Sequence, residues 1–248
     1  MDKPLLHYRI RRLHRFLGVI IGVQFLMWTV GGLYFSWSDM DEVHGDYDIS
    51  HPSMISPDVD LISPSRLLDS IYMSSQVDSL MDLKLISIME IPYWQATWHI
   101  RGADHSGRKF FLINALTGKY RPPLTETEAT EMAQKKFIGP YQVKSVEYLT
   151  ETNKHHEYRE QPLPAFAITF NNERHTTVYV ASDAGVIVKA RNQPWRQFDF
   201  LWMMHTMDYS SRDNITNWLL RAFSIFGLAT VASGFTLFFV SIKKKKKI

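Results

Sequence analysis

Residues 16–37 read FLGVIIGVQFLMWTVGGLYFSW, 22 residues without a charge. As a helix rising about 1.5 Å per residue, that length crosses a hydrocarbon layer of about 30 Å. Near the other end, residues 222–242 read AFSIFGLATVASGFTLFFVSI, 21 residues and again uncharged. Buried helices of soluble proteins seldom stay uncharged for so long, so both stretches read as membrane spans. A signal peptide would carry a shorter apolar run, about 7–15 residues, followed by a small-residue cleavage site. No A-x-A-like site follows, and the first span is expected to remain as an anchor. The mean hydropathy of −0.18 hides both stretches because the middle of the chain is polar. With 45% hydrophobic and 21% charged residues in 248, the chain is a folding one.

The flanks orient the spans. Lys3, Arg9, Arg11, Arg12 and Arg15 precede the first against one acid, Asp2, and residues 243–247 are five consecutive lysines. Residues 38–215 carry 24 acidic and 17 basic side chains. The positive-inside rule therefore expects both tails in the cytoplasm and the acidic middle outside. The net charge of +3 comes from the tails, and the lysine run directly after a span reads as topology, not nucleic-acid binding. Trp28, Tyr34, Trp37 and Trp218 gather toward the outer ends, as interfacial aromatics do, and Arg221 is expected to snorkel to the headgroups. Cysteine is absent, which excludes disulfides, thiolate metal sites and thiol nucleophiles.

The expected organisation is a cytoplasmic basic tail (1–15), a first span (16–37), a linker (38–64), two folded modules (65–121 and 122–192), a juxtamembrane amphipathic segment (193–215), a second span (216–242) and a lysine tail (243–248). Within the first module, SRLLDSIY (65–72) has helical spacing, and strand-like runs follow at 84–91, 95–101 and 109–113. NALTGKY (114–120) is a turn in which Gly118 supplies a positive φ. The same order then repeats. TETEATEMAQKKF (125–137) is a helix opened by a Thr125–Glu128 capping box, followed by strand runs at 141–149, 164–170, 176–180 and 186–189. Asn171–Asn172 and residues 182–185 read as turns. FFLINALTGKY and TVYVASDAGVIV share one grammar, an aromatic and β-branched strand, a polar turn with Gly, and a return strand. The fold class expected is α+β, two helix-plus-antiparallel-sheet modules anchored by two transmembrane helices.

LPAFAITFNNERHTTVYVASDAGVIV (163–188) resembles a PepSY domain, whose last strands form a V-Y-V-x-x-x-x-G hairpin. LHRFLGVIIG (13–22) and WMMHTMDYSSRDNITNWLL leading to ASGFTLFF resemble the PepSY-associated transmembrane family. The resemblance covers most of the chain, and its specific parts are L-H-R-x-L-G and L-W-M-M-H-x-x-D. Two spans, where larger members have four or more, are a departure. The resemblance implies a bacterial inner membrane, a periplasmic middle region and, from PepSY modules elsewhere, restraint of a peptidase or binding of a partner protein. It also implies, from larger relatives, a haem-containing system that reduces ferric siderophores.

Motifs for phosphate, dinucleotide, serine-hydrolase or zinc-protease chemistry are missing. His155, His156 and Glu157 sit on a polar stretch where solvation is the default, and His44, His51, His99, His105 and His175 are no stronger. His14, at the cytoplasmic mouth of the first span with His7 on the same helix face, and His205, in FDFLWMMHTMDY, are the candidate axial ligands of a haem b. At opposite ends of a bilayer they cannot share one iron, so haem needs a symmetry-related copy or a partner subunit. The plainer reading makes His14 an interfacial polar residue, with His205 capping or hydrogen-bonding near Asp208. Gly18 and Gly22 form G-x-x-x-G, and Ala229 and Ser233 form small-x-x-x-small, suited either to a homodimer or to packing of the two spans together. Gln24 needs a hydrogen-bond partner from a neighbouring helix. Two functions stand open: an accessory protein binding the lipid bilayer and another membrane protein or itself, or a haem-b component of membrane electron transfer. Two spans make a poor transport pathway, and Glu126, Glu128 and Glu131 on a surface helix make a poor hydrolase.

Overall fold

The computed structural model describes residues 3–50, 54–74, 76–102 and 107–245. They form two compact units, Met40–Trp195 and a helical unit made of the residues up to Asp39 together with those from Arg196 onward. His51 and His105 lie outside the described residues.

The α+β unit repeats one pattern twice. Helix α3 (Ser65–Ser74) precedes an antiparallel sheet of β1 (Val77–Ile88), β2 (Ile91–Ile100), β3 (Arg108–Asn114) and β4 (Tyr120–Arg121), in that order. Helix α4 (Glu126–Lys136) precedes a second antiparallel sheet of β5 (Val143–Leu149), β6 (Ala165–Phe170), β7 (Thr177–Ala181) and β8 (Val186–Arg191). Each helix forms where a start signal meets apolar spacing. Thr125 Oγ1 accepts from the Glu128 amide while the Glu128 carboxylate accepts from the Thr125 amide, closing the capping box. The amide bond from Thr125 is the main reason the Glu128 pKa lies below its usual value, with Arg121 at 2.6 Å adding to it.

Each helix covers one face of its own sheet. Leu67, Leu68 and Ile71 of α3 pack with Val77, Ala96, Trp98 and Ile113. Ala129, Met132 and Ala133 of α4 join Phe166, Ile168, Phe170, Val178 and Val180 of the second sheet. Ile88, Tyr93 and Leu112 of the first sheet enter that same core, so the two modules share it. The joint is tight. At Gly185, φ is +68°, and a Cβ would stand 2.7 Å from Ile88 and 2.8 Å from Leu112. The buried Gln95 side chain donates to the carbonyl of Ala184 beside it. The far face of the second sheet is closed by residues 153–163, with Tyr158 stacked on Tyr179 at 4.6 Å. Burial on both faces explains why AFAITF and TVYVA are apolar nearly throughout.

Several boundaries differ from the sequence reading. β1 begins seven residues earlier than expected because it is an outer strand, bulged near Val77 and Leu80, where Asp78 and Asp82 break the alternation. The stretch 38–64 is more than a linker. It holds α2 (Met40–His44), a bridge from Ile49 to Phe137, and a bond from the Ile62 amide to the Ala115 carbonyl. The β6–β7 turn runs past Asn171–Asn172, with the Asn172 side chain bonding Thr176 and His175 at φ +48°.

The helical unit contains two helices long and apolar enough to cross a membrane: Tyr8–Trp37 within α1 (Lys3–Trp37) and Trp218–Ser241 within α6 (Trp218–Lys245). Residues from Arg196 on of α5 (Gln193–Thr206) pack against the upper part of α1.

Candidate functional site

A stripe of less exposed residues along α1 runs through His14, Leu17, Ile21, Gln24, Trp28, Gly31 and Phe35, spaced alternately three and four apart and widened by Ile10, Met27 and Tyr34. On α6 the matching stripe runs through Leu220, Phe223, Gly227, Thr230, Gly234 and Leu237, widened by Leu219, Ala222 and Ser233. That period is the seam of two right-handed helices wound about each other left-handedly, knobs into holes. Polar groups fix its register. Ser233 Oγ donates to the Thr230 carbonyl, so it accepts from His14 Nδ1 at 2.7 Å, and neutral His14 carries its lone pair on Nε2.

Higher on α1, two side chains from the same stripe finish another helix. The last four carbonyls of α5 have no partner within the helix. Gln24 Nε2 donates to that of Met204 at 2.9 Å and Trp28 Nε1 to that of His205 at 2.8 Å. Thr206 Oγ1 reaches the Met203 carbonyl, and Asn217 Nδ2 takes the Thr206 carbonyl at 2.9 Å. Gln24 thus finds the neighbour its position demands, in α5.

His205 sits among aromatic rings. Trp202 lies parallel to it at 6.1 Å, with Trp28 at 6.3 Å and Phe35 at 5.8 Å. Its Nδ1 is buried with no hydrogen-bond partner and lies over Gly31, where a Cβ would be 3.9 Å away. The His205 ring makes no hydrogen bond with Asp208 through this nitrogen. Asp208, 5% exposed, is fully used by Ser210, Ser211 and Asn214 in the turn that follows. Burial opposes ionisation there, but these hydrogen bonds outweigh it and hold the Asp208 pKa well below the ordinary carboxylate range. Asp199, inside α5 and 4% exposed, is ion-paired with Arg212. The sequence offered a signal for that pair, since an acid inside FDFLWMM needs a counter-charge.

His14 and His205 are not brought together. His205 packs at Gly31, 17 residues from His14 on one helix, or about 25 Å at 1.5 Å per residue. Ser233 and Gln24 serve helix packing, but nothing lies within 4 Å of a Cβ placed at Gly18 or Gly22, and Ala229 is exposed. Intramolecular packing therefore does not use that G-x-x-x-G face. In the α+β unit, Glu157 accepts from the Tyr179 hydroxyl at 2.6 Å, and His156 Nδ1 accepts from the Tyr158 amide. His99 faces Asp78 at 3.1 Å.

The sequence did not reveal a cleft of about 860 Å³ in the α+β unit. Leu85, Ile86 and Ser87 line it from β1, and Val186 and Ile187 from β8. Both are outermost strands of their sheets. Met89 and Met132 add adaptable apolar surface, while Glu90 brings one negative charge and Lys135 and Lys136 two positive ones. An outer strand keeps a row of N–H and C=O groups on its unpaired side, and a cleft of this size suits a peptide segment.

No protein-family model, curated protein sequence or solved structure matches the chain.

Proposed function

We propose that the chain is a two-span protein of a bacterial inner membrane, with both ends cytoplasmic, whose PepSY-like α+β body stands in the periplasm. It acts as an accessory subunit, holding an extended segment of another membrane protein in the cleft between β1 and β8. That cleft carries the reading, because it joins two outer strands, apolar lining and Met89 and Met132 in one place. The two uncharged helices and their basic flanks support the membrane assignment. The hairpin TVYVASDAGVIV, with Gly185 in its turn, supports the PepSY-like one.

A photo-crosslinking residue at Ile187, in native membranes, is expected to give one discrete adduct. The same residue at Tyr148, on the outer strand at the opposite end of that sheet, is expected to give none. Adducts at both positions, or at neither, would overturn the assignment of the cleft.

One observation favours a second reading, a haem b held between two copies of the chain. Ser233 fixes His14 with Nε2 as acceptor, and the Gly18–Gly22 face is open for a second copy. His14 or His205 from each copy would hold the iron, and the group would supply one-electron transfer. A Soret band in the purified protein, lost in His14→Ala or His205→Ala, is the expected result. A colourless, folded preparation from haem-replete cells removes this reading.

A further inference from the structure

We infer that the outer edge of the hydrocarbon meets the protein at the 207–217 loop and not at Trp37, so that Tyr209, Ile215 and Trp218 rest in the lipid headgroup layer. The last two turns of α1, clamped by α5, then stand clear of the bilayer as a short stalk. This rests on the reading that α1 and α6 span a membrane.

The register of the helices carries it. His14 is level with Ser233, to which it is bonded. Trp218 lies 15 residues before Ser233, about 22 Å along α6, and the same distance from His14 along α1 ends at Thr29. Trp28 and Asn217 confirm this level independently, since they bond the adjacent carbonyls of His205 and Thr206. Helix α6 therefore begins eight residues, about 12 Å, short of Trp37. The partner of α1 over those turns is α5, with Phe35 against Phe198 at 4.7 Å and against Trp202 at 6.0 Å.

One bilayer cannot match both apolar stretches, and the exposed charges choose between them. An outer boundary at Trp37 would sink the exposed Asp213 and Arg221 deep into hydrocarbon. About 30 Å below Trp37, the inner boundary would meet α6 near Thr230 and leave Phe235, Phe238 and Phe239 in water, each about 60% exposed. A boundary at Thr29 removes both conflicts. Arg221 is then one turn inside and snorkels out. The inner boundary about 30 Å below Thr29 falls at Arg9, and Arg11, Arg12 and Arg15, up to about 9 Å inside it, snorkel to the inner headgroups in the same way. Tyr209 (47% exposed), Ile215 (61%) and Trp218 (76%) then form the outer aromatic and apolar belt.

The chain has no cysteine, so single-cysteine variants of the full protein each take one spin label. Leu33→Cys, Ile215→Cys and Ile225→Cys change exposed side chains and leave the packing stripes intact. In phosphatidylethanolamine–phosphatidylglycerol vesicles, a water-soluble nickel chelate should relax the Leu33 label several-fold more than the Ile225 label. Oxygen should show the reverse order, and the Ile215 label should be intermediate for both. If the Leu33 label instead behaves like that at Ile225, both in oxygen-rich lipid, the outer boundary is at Trp37 and the inference falls while the spanning reading stands. If the Ile225 label is open to nickel, the spanning reading falls and this inference with it.

Discussion

Asp208 is held by hydrogen bonds from Ser210, Ser211 and Asn214, which shape the turn between α5 and α6. Its folded pKa lies below the unfolded value near 4, so its contribution is complete above that value and is lost as pH falls toward the folded one. The melting temperature of the purified protein should drop between about pH 5 and pH 3, and Asp208→Asn should flatten part of that drop. Equal acid sensitivity in both proteins would contradict the role given to the carboxylate. The sequence placed this aspartate three residues after His205, but a single sequence does not say that its neighbours consume it and leave His205 Nδ1 without a partner. Gly185 is decided by space as well as by φ. Gly185→Val should destabilise the α+β unit by about 2 kcal/mol or more, because its Cβ meets Ile88 and Leu112 and its backbone is left-handed. Thermal unfolding checks it.

Among the elements, α4 was the most legible, because a capping box and helical spacing are local signals. Thr125→Ala should cost about 1 kcal/mol in unfolding free energy, measured by denaturant titration. The strands β6 to β8 were legible from local signals too, with Gly185 at positive φ in the β7–β8 turn, as Gly118 is in the β3–β4 turn. What could not be read was how elements close on each other. The capping of α5 by Gln24 and Trp28 links residues 180 and 177 positions apart, and no local pattern encodes it. Gln24→Leu should loosen α5 from α1 at a cost of about 1 kcal/mol, typical of an interhelical bond in lipid. Detergent unfolding followed by tryptophan fluorescence would detect it. The cleft was hidden too, since its lining comes from β1, β8, α4 and Ile49, Ser50 and Ile55, and only the sheet order makes β1 and β8 outermost.

Over the whole molecule, charge and hydropathy divide the chain as its contacts do, into apolar helices and an acidic α+β body of residues 40–195. Composition made this division visible because hydrocarbon and water select opposite side chains over long stretches. The 8-residue offset between α1 and α6 escaped it, since an uncharged run gives the length of a span and not its depth. The most direct measurement is proteolysis of intact spheroplasts from cells expressing the chain. Protease added outside should digest residues 40–195 and leave membrane-protected fragments carrying α1 and α6, with both ends uncut until the membrane is breached. A body that resists external protease but is cleaved from the cytoplasmic side would contradict the proposed topology and the partner-binding role built on it.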